Sequence, residues 1–179
     1  MIESLVALAV ISVLMASLGT YFVSTMKASR NEAQTQAAAR IAQTGMEQAR
    51  GLGGPTLLVG RAQCGSCIDV SAYDPGYLTN IQRWDAAVSG VTPALPIPNG
   101  TGETVTVNGV TYYRFYFVGR CWQAATGGIC GTNTALPVRM IKLVVGVTWT
   151  EANCPYSMCI RAATALFSND PNNPTFSQS

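Results

Sequence analysis

The sequence predicts an α+β protein in which a long N-terminal α-helix packs on a roughly four-stranded antiparallel β-sheet. Three observations carry this prediction. An apolar segment opens the chain and continues into a stretch rich in helix-forming residues, an Asn-Gly dipeptide separates two β-rich runs, and two further β-rich runs follow. Because such a sheet has one apolar face that needs a cover, the helix is expected to lie on that face.

The first half of the predicted helix, residues 1–26, is apolar enough to lie in lipid. Residues 4–26 carry no charged side chain, and the next ionisable residues are Lys27 and Arg30. At about 1.5 Å of rise per residue, this stretch reaches roughly 35 Å, which exceeds the about 30 Å of a hydrocarbon core. The segment is therefore predicted to span a membrane.

The second half of the helix, residues 27–54, is predicted to belong to the soluble head. It has no proline before Pro55 and is rich in Ala, Gln, Arg and Glu, which favour helix. Small residues and one isoleucine recur every three or four positions and form a stripe that can pack on the sheet: Ala33, Ala37, Ile41, Gly45, Ala38, Ala42 and Ala49. The faces expected to be exposed to solvent carry polar residues, which are Glu32, Gln34, Gln36, Arg40, Gln43, Glu47 and Arg50. Glycines from Gly51 onward, followed by Pro55, predict the end of the helix.

Residues 55–102 are predicted to be an irregular connecting region. Proline and glycine recur through it without a periodic pattern, as in Asp74-Pro75-Gly76 and Pro98-Asn99-Gly100. Connections of this length usually carry function or small elements of their own. Within this region, residues 78–88 are predicted to form a short helix with Trp84 as its buried anchor.

Residues 103–179 are predicted to form the antiparallel sheet and a C-terminal tail. The first two strands, 103–107 and 110–118, flank Asn108-Gly109, which is the strongest short hairpin signal. Two more strands are predicted at 138–149 and 159–167 from their β-branched and aromatic residues. The tail from residue 168 is polar and contains proline, so we expect it on the surface.

The cysteines predict a disulfide-bonded head in an oxidising compartment. They are even in number and all follow the apolar segment: Cys64, Cys67, Cys121, Cys130, Cys154 and Cys159. Their spacing suggests three local pairs in chain order, although six cysteines allow about 15 connectivities. Short loops of this kind are expected to pin turns. A redox role for the Cys64–Cys67 spacing, or a zinc site, fits the surrounding sequence less well.

Composition argues against several classes of function. The net charge is +2, charged residues make up 11% of the chain, and no basic cluster suggests a nucleic-acid site. The chain has no histidine, and its acids are scattered without catalytic spacing. The asparagines near Asp170 lack the regular spacing of a calcium loop. We therefore expect no enzyme activity, no metal and no cofactor.

The opening stretch Met1-Ile2-Glu3-Ser4-Leu5-Val6-Ala7-Leu8-Ala9-Val10-Ile11 resembles the class III signal segment of type IV pilins. In that family, a short aliphatic stretch, a glutamate and an apolar helix open the mature subunit. Family chains usually begin with an N-methylated aromatic residue four places ahead of the glutamate, whereas two residues precede Glu3 here. The first two mature residues, and the basic leader that a prepilin peptidase removes, are therefore expected to lie ahead of Met1.

The resemblance implies a structural subunit, preferably a major pilin, of a cell-surface filament. Its partners would be other copies of itself, the membrane before assembly, and the inner-membrane assembly machinery with its prepilin peptidase. Such filaments serve adhesion, motility, DNA uptake or secretion. A minor pilin or a type II secretion pseudopilin is the related alternative. An alternative of another class is a single-span, membrane-anchored, disulfide-bonded binding domain.

The resemblance also implies roles for individual residues in residues 1–26, which become the filament core. An ionised carboxylate in lipid costs about 2.5–3.5 kcal/mol on insertion scales and needs a partner. Glu3 is expected to pair with the α-amine of a neighbouring subunit and so to set assembly register. The alternative is a glutamate that lies at the level of the lipid headgroups or favours the positive end of the helix dipole. Gly19 is a candidate position for a bend or a small-residue contact. The expected core-packing residues are Ile2, Leu5, Leu8, Ile11, Leu14, Met15, Leu18 and Phe22.

Overall fold

The structure, a computed structural model, describes residues 2–64, 78–88, 97–98 and 102–169. For residues 2–5, 7–9, 87 and 156 it describes the backbone alone. The chain divides into two units, Met1–Gln36 and Ala37–Ser179. The predicted tail from residue 170 onward, together with Asp69 and Asp74, lies outside the described residues.

A long helix, α1 (Ile2–Leu52), opens the described chain, as the sequence predicts. It ends inside the predicted Gly51–Pro55 stretch, where Gly53 adopts a left-handed φ of 75° that favours glycine. A short second helix, α2 (Gly54–Leu57), follows immediately with Pro55 in its first turn.

An antiparallel sheet forms the body of the second unit. Its strands are β2 (Gln82–Arg83), β4 (Glu103–Val107), β5 (Val110–Ala124), β6 (Gly127–Gly131), β7 (Val138–Thr150) and β8 (Met158–Ser168). β5 pairs with β7 along one side and with β4, β2 and β6 along the other, while β7 also pairs with β8. The remaining two strands, β1 (Arg61–Ala62) and β3 (Ala86–Ala87), pair with each other.

The four predicted strands are all present as β4, β5, β7 and β8. The predicted two-residue turn joins β4 to β5, and both Asn108 and Gly109 have the positive φ that a type I′ turn requires. β5 extends to Ala124, beyond the predicted end at 118, and turns back through β6, which the sequence analysis missed.

One face of the sheet packs on the C-terminal part of α1 to form the main core. Ala38, Ala42 and Ala49 of the predicted stripe are buried together with Ile41 and Met46. Alternate residues of the two long strands meet them, because successive side chains of a strand point to opposite faces. The largest of these are Tyr112, Tyr116, Val118, Ile141, Leu143, Val145 and Val147.

The opposite face of the sheet carries two smaller clusters. Phe117 and Val144 form one of them, with Leu78 packed against it. Ile81, Cys121 and Met140 form the other. The segment that contains Leu78 and Ile81 therefore lies on this second face.

Three details of the sequence prediction are wrong. Residues 78–88 do not form a helix but contain a turn and the strands β2 and β3, because hydrogen bonding to β5 and β1 overrides the local helical pattern. Trp84 is partly exposed and does not anchor a helix core. On α1, Ala33 is exposed and Gln34 is buried, which reverses their expected positions.

Candidate functional site on the N-terminal helix

The apolar segment, defined here as residues 6–26 of α1, exposes its large apolar side chains. Their exposed fractions lie between 52% for Ile11 and 70% for Val13. The exposed set is Val6, Val10, Ile11, Val13, Leu14, Met15, Leu18, Tyr21, Phe22, Val23 and Met26. At 3.6 residues per turn these positions point to every side of the helix. A helix that is apolar all round is stable where it is surrounded by lipid or by other apolar helices.

Four side-chain hydroxyl groups of the segment are hydrogen-bonded within the helix itself. Ser17 Oγ donates to Leu14 O at 2.8 Å, and Thr20 Oγ1 donates to Ser17 O at the same distance. Ser24 and Thr25 both donate to Tyr21 O, at 2.8 and 2.9 Å. Because each of these hydroxyls bonds a carbonyl three or four residues back, it needs no water or external acceptor in an apolar medium.

One side of the segment, the large-residue side, carries five of its large apolar side chains close together. Ile11, Leu14, Met15, Leu18 and Phe22 fall within an arc of about 100° at 3.6 residues per turn. The opposite side carries a row of smaller residues at a spacing of four, which are Ser12, Ala16, Thr20 and Ser24. Small residues at this spacing let helix backbones approach closely in a membrane.

Five of the eight expected core-packing residues belong to this exposed surface, and the other three lie in the first turns of α1. Ile11, Leu14, Met15, Leu18 and Phe22 are each at least 52% exposed. For Ile2, Leu5 and Leu8, as for Glu3, the structure describes the helical backbone but not the side chain.

Gly19 lies in the uninterrupted helix. Apart from its chain neighbours and the nearby backbone of its own helix, no atom of the described residues lies within 4 Å of a Cβ placed on it. The described chain therefore offers no packing contact of its own that requires glycine at this position.

The disulfides confirm two of the three predicted local pairs. Cys121–Cys130 closes the hairpin between β5 and β6. Cys154–Cys159 closes the connection between β7 and β8, which contains the 3₁₀ turn Pro155–Ser157. Cys64 is also disulfide-bonded, and its predicted partner Cys67 lies outside the described residues.

A buried ion cluster in the head was missed by the sequence analysis. Arg83 Nε donates to Asp85 Oδ2 at 3.0 Å, and Val118 N donates to Asp85 Oδ1 at 2.8 Å. Arg61 Nη1 lies 3.5 Å from the same Oδ1, and its Nη2 donates to Ile97 O at 3.0 Å. Burial raises the pKa of Asp85, against the Val118 and arginine interactions that lower it.

The ion cluster joins the connecting region to β5, so its role is structural. Asp85 reaches into the sheet from the segment between β2 and β3, and Arg61 ties β1 to residues 97–98. No local pattern in the sequence distinguishes Asp85 from the exposed acids, because its partners are distant in the chain.

A second polar group lies between α1 and the sheet. Arg114 donates to Glu103 Oε2 through Nε at 2.8 Å and through Nη2 at 2.6 Å. The hydroxyl of Tyr116 lies 3.3 Å from that oxygen and from Gln48 Oε1. Burial raises the pKa of Tyr116 from 10.0 to about 12, so its phenol keeps its proton to a higher pH than an exposed tyrosine does.

The exposed apolar segment and the disulfide-bonded head together indicate membrane anchoring and an extracellular location. Among the described residues, one helix, Val10–Leu52, is long and apolar enough to cross a membrane. The apolar stretch of this helix is not buried within the protein. Comparison of the chain with models of protein families, with curated proteins and with solved structures finds no match.

Proposed function

We propose that the protein is a structural subunit, a major pilin, of an extracellular type IV pilus filament. The observation that carries the proposal is the all-round exposure of large apolar side chains on residues 6–26. The same helix continues without interruption to Leu52 and supplies part of the core of a disulfide-bonded head. These features fit the long-helix and antiparallel-sheet architecture of the pilin fold.

The physical basis of assembly is an exchange of apolar surroundings. In the membrane the segment contacts lipid, and in a filament it contacts the same segment of neighbouring copies. Because both surroundings are apolar, the transfer does not expose the segment to water. A helix that is surrounded by copies uses every side, and the exposed apolar residues lie on every side.

Glu3 supports a filament over a plain anchor. An acid at the start of an apolar helix is costly in lipid and has no purpose in a segment that only holds a domain to the membrane. In a filament it meets the positive α-amine of the next subunit, and the pair is stabilised in the dry core. The carboxylate then selects one register among many that apolar contacts alone would accept.

A membrane-anchored binding domain is the second candidate function. The observation that favours it is that a single helix of the described chain meets the length and composition needed to cross a membrane. This alternative predicts a monomeric protein that stays in the membrane after processing and oxidation.

Replacement of Glu3 by Ala tests the filament proposal in the cells that produce the protein. We expect the variant to be inserted, processed and oxidised normally, while the yield of sheared surface fibres falls by about tenfold or more, which corresponds to the loss of about 1.4 kcal/mol of pairing. Glu3→Asp keeps the charge with a shorter reach and should give an intermediate yield. Glu32→Ala, which removes an exposed glutamate of the same helix outside the apolar segment, is the matched control.

Normal fibre yield from Glu3→Ala contradicts the pairing role. An absence of fibres from the unaltered, processed and oxidised protein supports the anchored domain instead. Immunogold labelling with antibody to the head separates the remaining possibilities, because a major pilin labels along the whole fibre and a minor pilin labels the tip.

A further inference from the structure

Two arginines and two tryptophans meet at one end of the sheet, on the face that also carries α1. Arg120 and Trp122 alternate along β5, and Trp122 pairs directly with Arg139 of β7. Side chains two apart on a strand, or directly opposite on its partner, point to the same face. Arg120, Trp122 and Arg139 therefore share that face.

Trp84 belongs to the same group and comes from the segment that lies along the edge of β5 opposite β7. β2 pairs Gln82 with Arg120, and Trp84 N donates to Val118 O at 2.8 Å, which aligns this segment along β5. The guanidinium carbon of Arg120 lies 3.7 Å from the centroid of the Trp84 ring. Stacking on the indole fixes the guanidinium plane and the direction of its N–H donors.

The stacked pair contains two buried donors that have no acceptor among the described residues. These are Arg120 Nε and the indole Nε1 of Trp84. Buried donors are normally hydrogen-bonded, because an unmet donor loses its hydration without compensation. The described part of the protein thus lacks an acceptor at this position.

The group also has uncompensated positive charge within the described residues. Burial lowers the pKa of Arg120, and the nearby positive charge of Arg139 lowers it further. Two carboxylates of the head are engaged elsewhere, since Asp85 binds Arg83 and Arg61 while Glu103 binds Arg114. The half-buried Glu151 follows the end of β7, whereas Arg139 lies near the start of that strand. A water molecule accepts hydrogen bonds but does not neutralise two like charges.

We propose that Arg120, Trp84 and Arg139 form a binding site for an oxyanion, either a phosphate or a carboxylate group. A carboxylate or a phosphate presents two oxygens to the rigid fork of a stacked guanidinium and accepts several N–H donors at once. The exposed Arg139 supplies the second positive charge at the entrance. The occupant is a free anion or the acidic side chain of a second copy of the chain.

Titration of the full chain in detergent micelles with inorganic phosphate, at constant ionic strength, tests the site. A ligand that binds the folded state raises Tm as its concentration exceeds Kd. We expect phosphate to raise Tm more than chloride does, and Arg139→Gln to weaken phosphate binding by about tenfold, as loss of one charge-assisted contact does. Arg120→Gln should weaken binding further. Arg161→Gln, which removes an exposed arginine of β8, is the matched control and should bind like the unaltered protein.

Sedimentation of the same samples distinguishes the two sources of the oxyanion. Self-association that phosphate and Arg139→Gln both weaken marks an acidic side chain of a second copy as the occupant. Phosphate binding without a change in association marks a free anion. Equal phosphate affinity in the unaltered protein and Arg139→Gln, or no specific phosphate effect at all, overturns the proposal. Because Arg139 is exposed, that result does not depend on the folding of Arg120→Gln.

Discussion

Gly45 lies where α1 approaches the sheet closely. A Cβ at this position would lie 3.0 Å from Val145 Cγ1 and 3.1 Å from the Tyr116 hydroxyl. Overpacking of this kind costs about 1–3 kcal/mol, against a gain of about 1 kcal/mol in helix propensity when glycine becomes alanine. We expect Gly45→Ala to lower the free energy of unfolding, measured by urea denaturation.

Gly51 provides the matched control in the same helix. Apart from its chain neighbours and the nearby backbone of its own helix, no described atom lies within 4 Å of a Cβ placed on Gly51. Gly51→Ala should therefore gain helix propensity without a clash, and the free energy of unfolding should stay the same or rise. The two substitutions are chemically identical, and packing alone separates them. Equal effects at both positions would contradict the close approach at Gly45.

Tyr116 is expected to make stability depend on alkaline pH. Its pKa is raised from 10.0 to about 12 by burial, so the unfolded state loses the phenolic proton first as pH rises. The contribution of Tyr116 is therefore fully present below pH 10 and is lost as pH rises toward 12. Denaturation of the unaltered protein and of Tyr116→Phe between pH 9 and 11 should show a shallower decline for the variant. An unchanged slope would mean that the phenol is not protected in the folded state.

Among the helices and strands, the sequence predicted those that are determined by local residue patterns. β-Branched and aromatic residues together with Asn108-Gly109 located the strands β4, β5, β7 and β8, and helix propensity followed by glycine located the end of α1. The pattern failed at residues 78–88, where pairing with β5 and β1 decides the structure. The sequence pattern also did not predict that Met46 is buried in the main core, because the stripe on α1 was defined mainly by small residues and Met46 has a long, flexible side chain.

Asp85 is expected to hold the connecting region to the sheet. Asp85→Ala removes the carboxylate that lies beside the buried Arg61 and beside Arg83, and it removes the acceptor of Val118 N–H. Removing one partner of a buried ion pair costs about 3–5 kcal/mol, because the remaining charge is uncompensated. We therefore expect a large fall in the free energy of unfolding, with early loss of hydrogen-exchange protection at Val118.

The matched control for Asp85 is an exposed ion pair on α1. Glu47 binds Arg50 with both side chains more than half exposed. Pairs of this kind contribute about 0–1 kcal/mol, so Glu47→Ala should change stability little. Similar losses from the two substitutions would show that Asp85 is not a structural anchor.

For the whole molecule, the sequence identified the apolar segment but not the surfaces that meet it. Composition alone indicates that residues 4–26 favour an apolar environment. The structure adds that the large apolar side chains it describes between Val6 and Met26 are exposed on every side of the helix. The partners of Glu3 and of the large-residue side of the helix belong to other molecules in the proposed filament. One chain cannot specify that geometry, because lipid and a neighbouring helix satisfy the same apolar pattern.

The head is expected to fold without the apolar segment, because the unit Ala37–Ser179 contains the main core. A fragment that begins at Arg30 retains every α1 residue of that core. We expect it to be soluble without detergent, to contain no free thiols and to unfold cooperatively. Near-ultraviolet circular dichroism and a single urea transition measure this, and the fragment should not form fibres.

A fragment that begins at Gly54 should not fold, although it keeps every strand and every cysteine. It loses Ile41 and Met46, and truncation of one such buried side chain costs about 2–5 kcal/mol. It also loses Ala38, Ala42 and Ala49, so one face of the sheet is left uncovered. Because a domain of this size is stable by only about 5–15 kcal/mol, the loss exceeds what the rest of the core can offset. A cooperative transition from this fragment would show that the sheet, its second face and the disulfides suffice, and that α1 belongs to the filament alone.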